Sequence, residues 1–332
     1  MNFREAREIL EQAYEKKMPV FIWGKPGIGK SQLVRTFANE KKIGFIDLRL
    51  SQLDAVDLRG IPKIENGETV WTIPEFLPKN GSGILFLDEL NLAVPTIQHA
   101  AYELILDRKI GKYRLPDGWI CVGAGNRAED KANIFEISDP LKTRFLHIEL
   151  ETNLRDFNSY WNEIEGDARI SSFLHFKPNY LHNQNPKVKE YTFACPRTWE
   201  FLNTLIKGET DEQKIKLYSI SAIGEGVATE FVSFVKLFEK FDIKEILRNP
   251  ETCEIPSEVS QLWSFVGAIA NYVNLHKTKE NRTNAVKIAI RLEKQPEFAA
   301  FLMRCLLEKS RGETFAKIPE LNKFIERVGK YL

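Results

Sequence analysis

Gly24-Lys25-Pro26-Gly27-Ile28-Gly29-Lys30-Ser31 carries the G-x-x-x-x-G-K-S spacing of a loop that cradles phosphates. The chemistry needs these residue types. Glycines let backbone N–H groups converge on phosphate oxygens, and a helix starting at the end of the loop adds the positive end of its dipole. Lys30 can then reach the β- and γ-phosphates, and the Ser31 hydroxyl can hold Mg²⁺. The nucleotide-binding candidates are therefore Gly24, Pro26, Gly27, Ile28, Gly29, Lys30, Ser31 and Gln32.

Downstream, the apolar run Ile84-Leu85-Phe86-Leu87 exits directly into Asp88-Glu89. Such a run predicts a strand buried on both faces. Two carboxylates at its exit are costly unless they have work to do. Beside a phosphate loop they have it: Asp88 can bind Mg²⁺ through water, and Glu89 can polarise an attacking water, the Walker B pattern. The segment Trp119–Gly125 predicts another strand, and Asn126 at its end can orient that water. Asn in this position is otherwise a common turn former.

Arginines supply the remaining charge. Arg144 follows a predicted one-turn helix, with Asp139 expected at its N-cap and Pro140 at its first position. From such an exposed corner it can reach a γ-phosphate held by a neighbouring subunit, or form an ordinary surface ion pair. Arg127 and Arg108 lie on neighbouring loops and are alternatives for the same task. Arg197 falls in the first turn of a helix opened by Pro196, where a cation opposes the helix dipole by about 0.3–1 kcal/mol. That small mismatch makes sense if Arg197 meets a nucleotide phosphate.

The elements that must position these residues are legible as patterns. Residues 4–17 have the apolar spacing of an amphipathic helix, with Ala6, Ile9, Leu10 and Ala13 on one side. Val20–Trp23 and Gly44–Leu50 read as strands, and Leu33, Val34 and Phe37 mark a helix after the loop. Residues 51–62 are turn-rich. Asn66-Gly67 between Ile64 and Val70-Trp71 predicts a small hairpin. Residues 108–118 read as a basic hairpin with a Pro116-Asp117-Gly118 turn, whose Lys109, Lys112 and Arg114 face either a substrate or solvent. From residue 153 the strand signals stop. Helices are expected at 154–165, 167–176, from Pro196, and at 212–222, 226–240, 257–275, 282–293, 297–309 and 316–330.

Composition sets the outer limits. With 332 residues, 43% hydrophobic and 28% charged, the chain is ordinary globular material of two or three domains. A net charge of +1 gives no global field for nucleic acid. Cys121, Cys195, Cys253 and Cys305 are scattered singly, without zinc spacing and without the density of a disulfide scaffold. The charged, helical N-terminal run is unlike a signal peptide, and no apolar run approaches the eighteen or so residues of a membrane span. The expectation is a soluble, reduced, cytoplasmic protein.

Taken in order, the motifs resemble an AAA+ ATPase of the MoxR-like group over about residues 18–240. The correspondence comprises Walker A at Gly24–Ser31, Walker B at Ile84–Glu89, sensor 1 at Asn126, the arginine-finger segment at Arg144 and the Pro-Arg of sensor 2 at Arg197. Residues 57–71 look like the helix-2 insert of that group, and 108–118 like its pre-sensor-1 hairpin. The resemblance implies an α/β fold, an AAA+ P-loop core with a five-stranded parallel sheet flanked by helices (1–152). An all-helical lid (153–240) and a C-terminal helical extension (241–332) would follow. It implies hydrolysis of ATP to ADP and phosphate with Mg²⁺ at Ser31 and Asp88, and catalytic roles for Lys30, Glu89, Asn126 and Arg144. It also implies a ring of self-associated subunits, usually a hexamer, with ATP at the interfaces. MoxR-like proteins usually act as chaperones that remodel or activate a partner protein, often one with a von Willebrand factor A domain. The alternatives are a nucleic-acid-directed motor, kept open by the basic hairpin, and a nucleotide-gated scaffold, against which the intact Glu89 argues.

Overall fold

The computed structural model describes residues 1–127, 135–185, 190–238, 240–276, 278–307 and 324. The chain divides into two compact units, Met1–Thr152 and Asn153–Leu332. The first unit runs α1 (Phe3–Glu15), β1 (Val20–Trp23), α2 (Lys30–Lys41), β2 (Gly44–Arg49), α3 (Ala55–Arg59), β3 (Pro62–Glu65) and β4 (Glu68–Trp71). It continues with β5 (Ser82–Asp88), α4 (Pro95–Leu106), β6 (Lys109–Ile110), β7 (Tyr113–Arg114), β8 (Gly118–Gly125), α5 (Asp139–Lys142) and β9 (Leu146–Glu149).

Five of these strands form one parallel sheet in the order β2-β5-β8-β1-β9. Helices cover both faces, which is why β5 reads as an unbroken apolar run. Its side chains alternate between two cores: Ile84 and Phe86 pack with Leu33, Val34 and Phe37 of α2, while Leu85 and Leu87 pack with Ile97, Ala101 and Leu104 of α4. Each fully buried large side chain contributes about 1.5–3 kcal/mol. Register then sets the function-bearing edge. Trp23 pairs with both Gly125 and Glu149, and Arg49 pairs with Asp88, so the strands end level and their following loops open together.

The expected hairpin at Asn66-Gly67 is present: β3 and β4 are antiparallel, with positive φ at Asn66 (53°) and Gly67 (80°), as a two-residue type I′ loop requires. Three local expectations are corrected. The turn of the basic hairpin is Gly111-Lys112, where Gly111 takes φ 56°; Pro116-Asp117-Gly118 instead turns the chain into β8, Trp119 N–H donating to Pro116 O at 2.9 Å. The N-cap of α5 is Ser138, not Asp139, because the Ser138 carbonyl accepts the first helical bond from Lys142 N–H at 2.9 Å. Within the turn-rich stretch lies α3, stabilised by a capping box in which Asp54 N–H donates to the Asp57 carboxylate at 2.8 Å. Gly60 ends α3 at φ 84°, and a Cβ there would sit 1.7 Å from Thr72 O.

The second unit contains α6 (Leu154–Glu163), α7 (Ala168–Phe176), α8 (Pro196–Ile206), α9 (Glu212–Ile223), α10 (Glu225–Phe238), α11 (Ile243–Arg248), α12 (Val259–Leu275), α13 (Lys279–Arg291) and α14 (Pro296–Leu307). Among its described residues there is no strand. One apolar cluster runs through it, including Trp161, Phe173, Trp199, Phe231, Phe265 and Leu302, and so passes beyond residue 240. The short α11, capped by Asp242, is not among the expected helices, although Ile243, Ile246 and Leu247 have helical spacing. The helix expected at 316–330 lies outside the described residues apart from Phe324. Among the described residues, no helix is long and apolar enough to cross a membrane.

His175 on α7 is stacked against Trp263 with ring centroids 5.0 Å apart, sits edge-on to Phe301 at 4.7 Å, and its Nε2 meets Asn158 Nδ2 at 2.8 Å. Burial, with the Arg304 charge behind it, holds its pKa down from 6.5 to about 4. The unfolded chain therefore binds the proton more readily, and stability is lost as pH falls from 6.5 towards 4. The full loss is on the order of 3 kcal/mol. Thermal melts from pH 7 to 4.5 should show a steeper fall for the wild type than for His175→Leu. Equal slopes would assign the acid sensitivity elsewhere.

Candidate nucleotide-binding and catalytic site

The phosphate loop leaves β1 and enters α2. Gly27 (φ 76°) and Gly29 (φ 97°) take left-handed conformations that an L side chain resists, and Gly29 is the N-cap of α2. Ile28 is buried in the α2-side core and anchors the loop. Gly24 is closely packed, since a Cβ there would lie 2.4 Å from Ile28 Cδ1 and 2.9 Å from Leu150 O. Ser31 is half-buried in the first turn of α2, and Gln32 is exposed beside it.

Lys30 Nζ donates to Gly24 O at 2.6 Å, Lys25 O at 3.0 Å and Asn126 Oδ1 at 2.9 Å. The last bond joins the loop directly to the end of β8. Asn126 is held in turn by Asn91, a side chain only 1% exposed. Asn126 N–H donates to Asn91 Oδ1 at 3.2 Å, and Asn91 Nδ2 donates to Asn126 O at 2.6 Å. Gly125 makes room for this clamp, because a Cβ there would lie 2.3 Å from Asn91 Oδ1.

Asp88 and Glu89 exit β5 at the same edge. One Asp88 oxygen accepts from Glu89 N–H at 2.9 Å. Burial raises the Asp88 pKa, and the negative charges of Asp47 and Glu89 add to the rise, against that backbone bond and the Lys30 ammonium. Glu89 stands at φ 57°, an unfavourable left-handed conformation costing about 1–2 kcal/mol for a residue with a Cβ. Its carboxylate accepts a short hydrogen bond from Ser51 Oγ, just beyond β2.

The structure thus brings together the loop Gly24–Gln32, Asp88, Glu89 and Asn126 at one edge of the sheet. Arg127 lies at that edge too, paired with Glu149. Arg144 and Arg108 do not. They line a cleft of about 250 Å³ with Lys17, Pro19 and Ile120 at the opposite, amino edge, where Arg144 donates to Pro140 O at 3.0 Å and Arg108 to Pro116 O at 2.8 Å. The length of β1, about 13 Å, separates that edge from the loop of the same subunit. A further chain joins the two edges. Trp23 Nε1 donates to His147 Nδ1 at 2.8 Å, so the His147 proton sits on Nε2, which meets Lys142 O at 2.7 Å. Arg197 is exposed in the first turn of α8, in the second unit.

Three contributors escaped the sequence reading: Asn91, Ser51 and Asp47. Their signals were faint but present. Asn91 is a polar residue two positions beyond Glu89, and Asp47 interrupts the apolar strand Phe45-Ile46-Asp47-Leu48.

Residues 20–150, less than half of the chain, match the family model "ATPase family associated with various cellular activities (AAA)". This segment is an AAA ATPase domain. Such a domain takes ATP with Mg²⁺ and hydrolyses the nucleotide. The structural neighbours include the RuvB Holliday junction branch migration motor of Thermotoga maritima. It is 17% identical, covers 74% of each chain and has a TM-score of 0.34. Another is NtrX from Brucella abortus in complex with ADP, 12% identical, covering 83% of this chain and 65% of that one, with a TM-score of 0.39. At these values neither likeness bears on substrates or partners.

The donor set of the AAA domain fits magnesium. Among the described residues no cluster of three or more His, Cys, Asp or Glu could hold a metal unaided. Mg²⁺ needs none in nucleotide sites, where one or two carboxylates act with substrate phosphates and water. Asn91→Ala should strip both backbone partners from Asn126 and cost about 1–3 kcal/mol. The expected outcome is a lower melting temperature and lower ATP turnover with ADP affinity unchanged. Unchanged turnover in calorimetry-matched protein would show that Asn126 needs no clamp.

Proposed function

We propose that this protein is a MoxR-like AAA+ motor that forms a ring of about six subunits and uses ATP hydrolysis to remodel or activate a partner protein. The observation that carries the reading is the division of the candidate residues between opposite sheet edges. Lys30, Ser31, Asp88, Glu89 and Asn126 share one edge, while Arg144 and Arg108 share the other. A site divided in this way is completed by the arginine edge of a second copy.

In this reading Lys30 and the loop amides hold the phosphates, and Ser31 and Asp88 are the oxygen ligands on the metal side. Mg²⁺, when bound, neutralises phosphate charge. Glu89 takes the proton of the attacking water or orients it, with Asn126 assisting; the hydrogen bond from Ser51 must open first. Arg144 of the neighbouring subunit stabilises charge on the transferred phosphoryl group, an effect worth about 10³–10⁵ in rate, or roughly 4–7 kcal/mol. Arg108 and Arg127 are the alternatives, and Arg127 is disfavoured by its place beside its own loop. Arg197 is proposed to contact nucleotide phosphate as sensor 2.

A protein partner is supported by the exposed apolar side chains around the β3–β4 hairpin. Ile64 is 81% exposed, Ile61 65%, Ile73 49% and Trp71 40%. Apolar groups held out in water suit a protein surface more than a phosphate backbone. A partner with a von Willebrand factor A domain is the family expectation. The second reading, a nucleic-acid-directed motor, draws on exposed Lys109, Lys112 and Arg114 on the β6–β7 hairpin. Stimulation of turnover by DNA or RNA, lost when these three are neutralised, would favour it.

Two measurements test the ring. Light scattering of Glu89→Gln with Mg-ATP should report an assembly of about six subunits; a monomer at tens of micromolar would count against the interfacial site. Arg144→Ala and Lys30→Ala should each be nearly inactive alone. Mixed, they should regain turnover, because a Lys30→Ala subunit still offers an intact arginine to its neighbour. A mixture as dead as its components would rule out a trans-acting Arg144.

A further inference from the structure

Asp47 stands inside the apolar run of β2, where an ionised carboxylate is costly unless its lone pairs are used. One oxygen is used. Oδ2 accepts from Arg35 Nη2 at 3.2 Å, and the Arg35 guanidinium lies 4.9 Å from the Phe45 ring. The other, Oδ1, is buried with no hydrogen-bond partner among the described residues.

Register and helix geometry fix its neighbourhood. Asp47 pairs with Phe86 and Arg49 with Asp88, so Asp47 and Asp88 are diagonal neighbours on one face of the sheet. That face is covered by α2. Ser31 and Arg35 are four residues apart on α2, so their Cβ atoms are about 5–6 Å apart on one side of the helix. Ser31, Arg35, Asp47 and Asp88 therefore border one small polar space between α2 and the ends of β2 and β5. Of the two residues assigned to the metal side, Ser31 lies on the helix and Asp88 on the strand.

Magnesium in nucleotide sites keeps several of its waters, and each is a hydrogen-bond donor in need of an acceptor. We propose that Asp47 is a positioning carboxylate for the nucleotide-bound magnesium, its Oδ1 accepting a hydrogen bond from a water of the metal shell that Ser31 and Asp88 hold. Arg35 occupies the other oxygen, Oδ2, from behind. The assignment rests on the nucleotide-site reading above. It adds to Ser31 and Asp88 a third residue on the metal side, one that acts through water.

The test separates metal affinity from nucleotide affinity. Mn²⁺ serves as the spectroscopic probe, its free signal followed by electron paramagnetic resonance in the presence of ADP. Asp47→Asn should raise the half-saturating Mn²⁺ concentration about tenfold, the scale at which outer-shell partners act on metal sites. ADP affinity in EDTA should be unchanged or tighter, because a negative charge has been removed. Arg35→Gln breaks the ion pair but keeps the carboxylate, and should leave Mn²⁺ affinity within about twofold. Asp47→Asn with wild-type Mn²⁺ affinity would overturn the proposal. So would an equal loss in Arg35→Gln, since Asp47 would then be only an ion-pair partner. If circular dichroism shows Asp47→Asn unfolded, Asp47→Ser takes its place. Wild-type protein that fails to bind ADP with or without Mn²⁺ would overturn the nucleotide-site reading itself, and this assignment with it.

Discussion

The arrangement depends on how the Lys30 ammonium is held. Lys30 Nζ donates to two loop carbonyls and to the Asn126 amide oxygen. These bonds tie the loop to the end of β8 and fix where the charge stands. The demand then spreads outward. Asn126 must be held, so Asn91 is buried behind it. Asn91 needs space, so residue 125 is a glycine. The strands must end level, so the parallel register is shared across the sheet.

Much of this was legible in the chain because its signals are local. The loop, the apolar run ending in Asp88-Glu89 and the strand ending at Asn126 each declare themselves within ten or so residues, and the strand and helix patterns around them follow period 2 or 3.6. The less legible parts are contacts between segments distant in sequence. Asn91 matters because of Asn126, Ser51 because of Glu89, and Asp47 because of Arg35 and Asp88. No spacing rule joins these positions; only the strand order β2-β5-β8-β1-β9 does. Turn placement also escaped, for a different reason. Pro116-Asp117-Gly118 and Gly111-Lys112 are both credible turns, and the choice is made by the pairing of Ile110 with Tyr113.

The two edges of the sheet divide the chemistry without isolating it. Trp23, the last residue before the loop, is hydrogen-bonded to His147, which reaches the Lys142 carbonyl two residues before Arg144. Phe21 and Phe145 pack beside them, with ring centroids 5.4 Å apart. The strand that delivers the loop and the turn that bears the arginine are thus parts of one packed element, so their relative placement is set within each subunit.

Glu89 carries its carboxylate on a backbone that would be more comfortable with none. At φ 57° glycine is the residue of lowest conformational cost, and glycine has no side chain to meet Ser51 or a water. Selection for thermal tolerance and selection for turnover therefore pull in opposite directions at this one position. A directed-evolution library screened for heat resistance alone would drift towards glycine at residue 89 and return a hardier, silent protein.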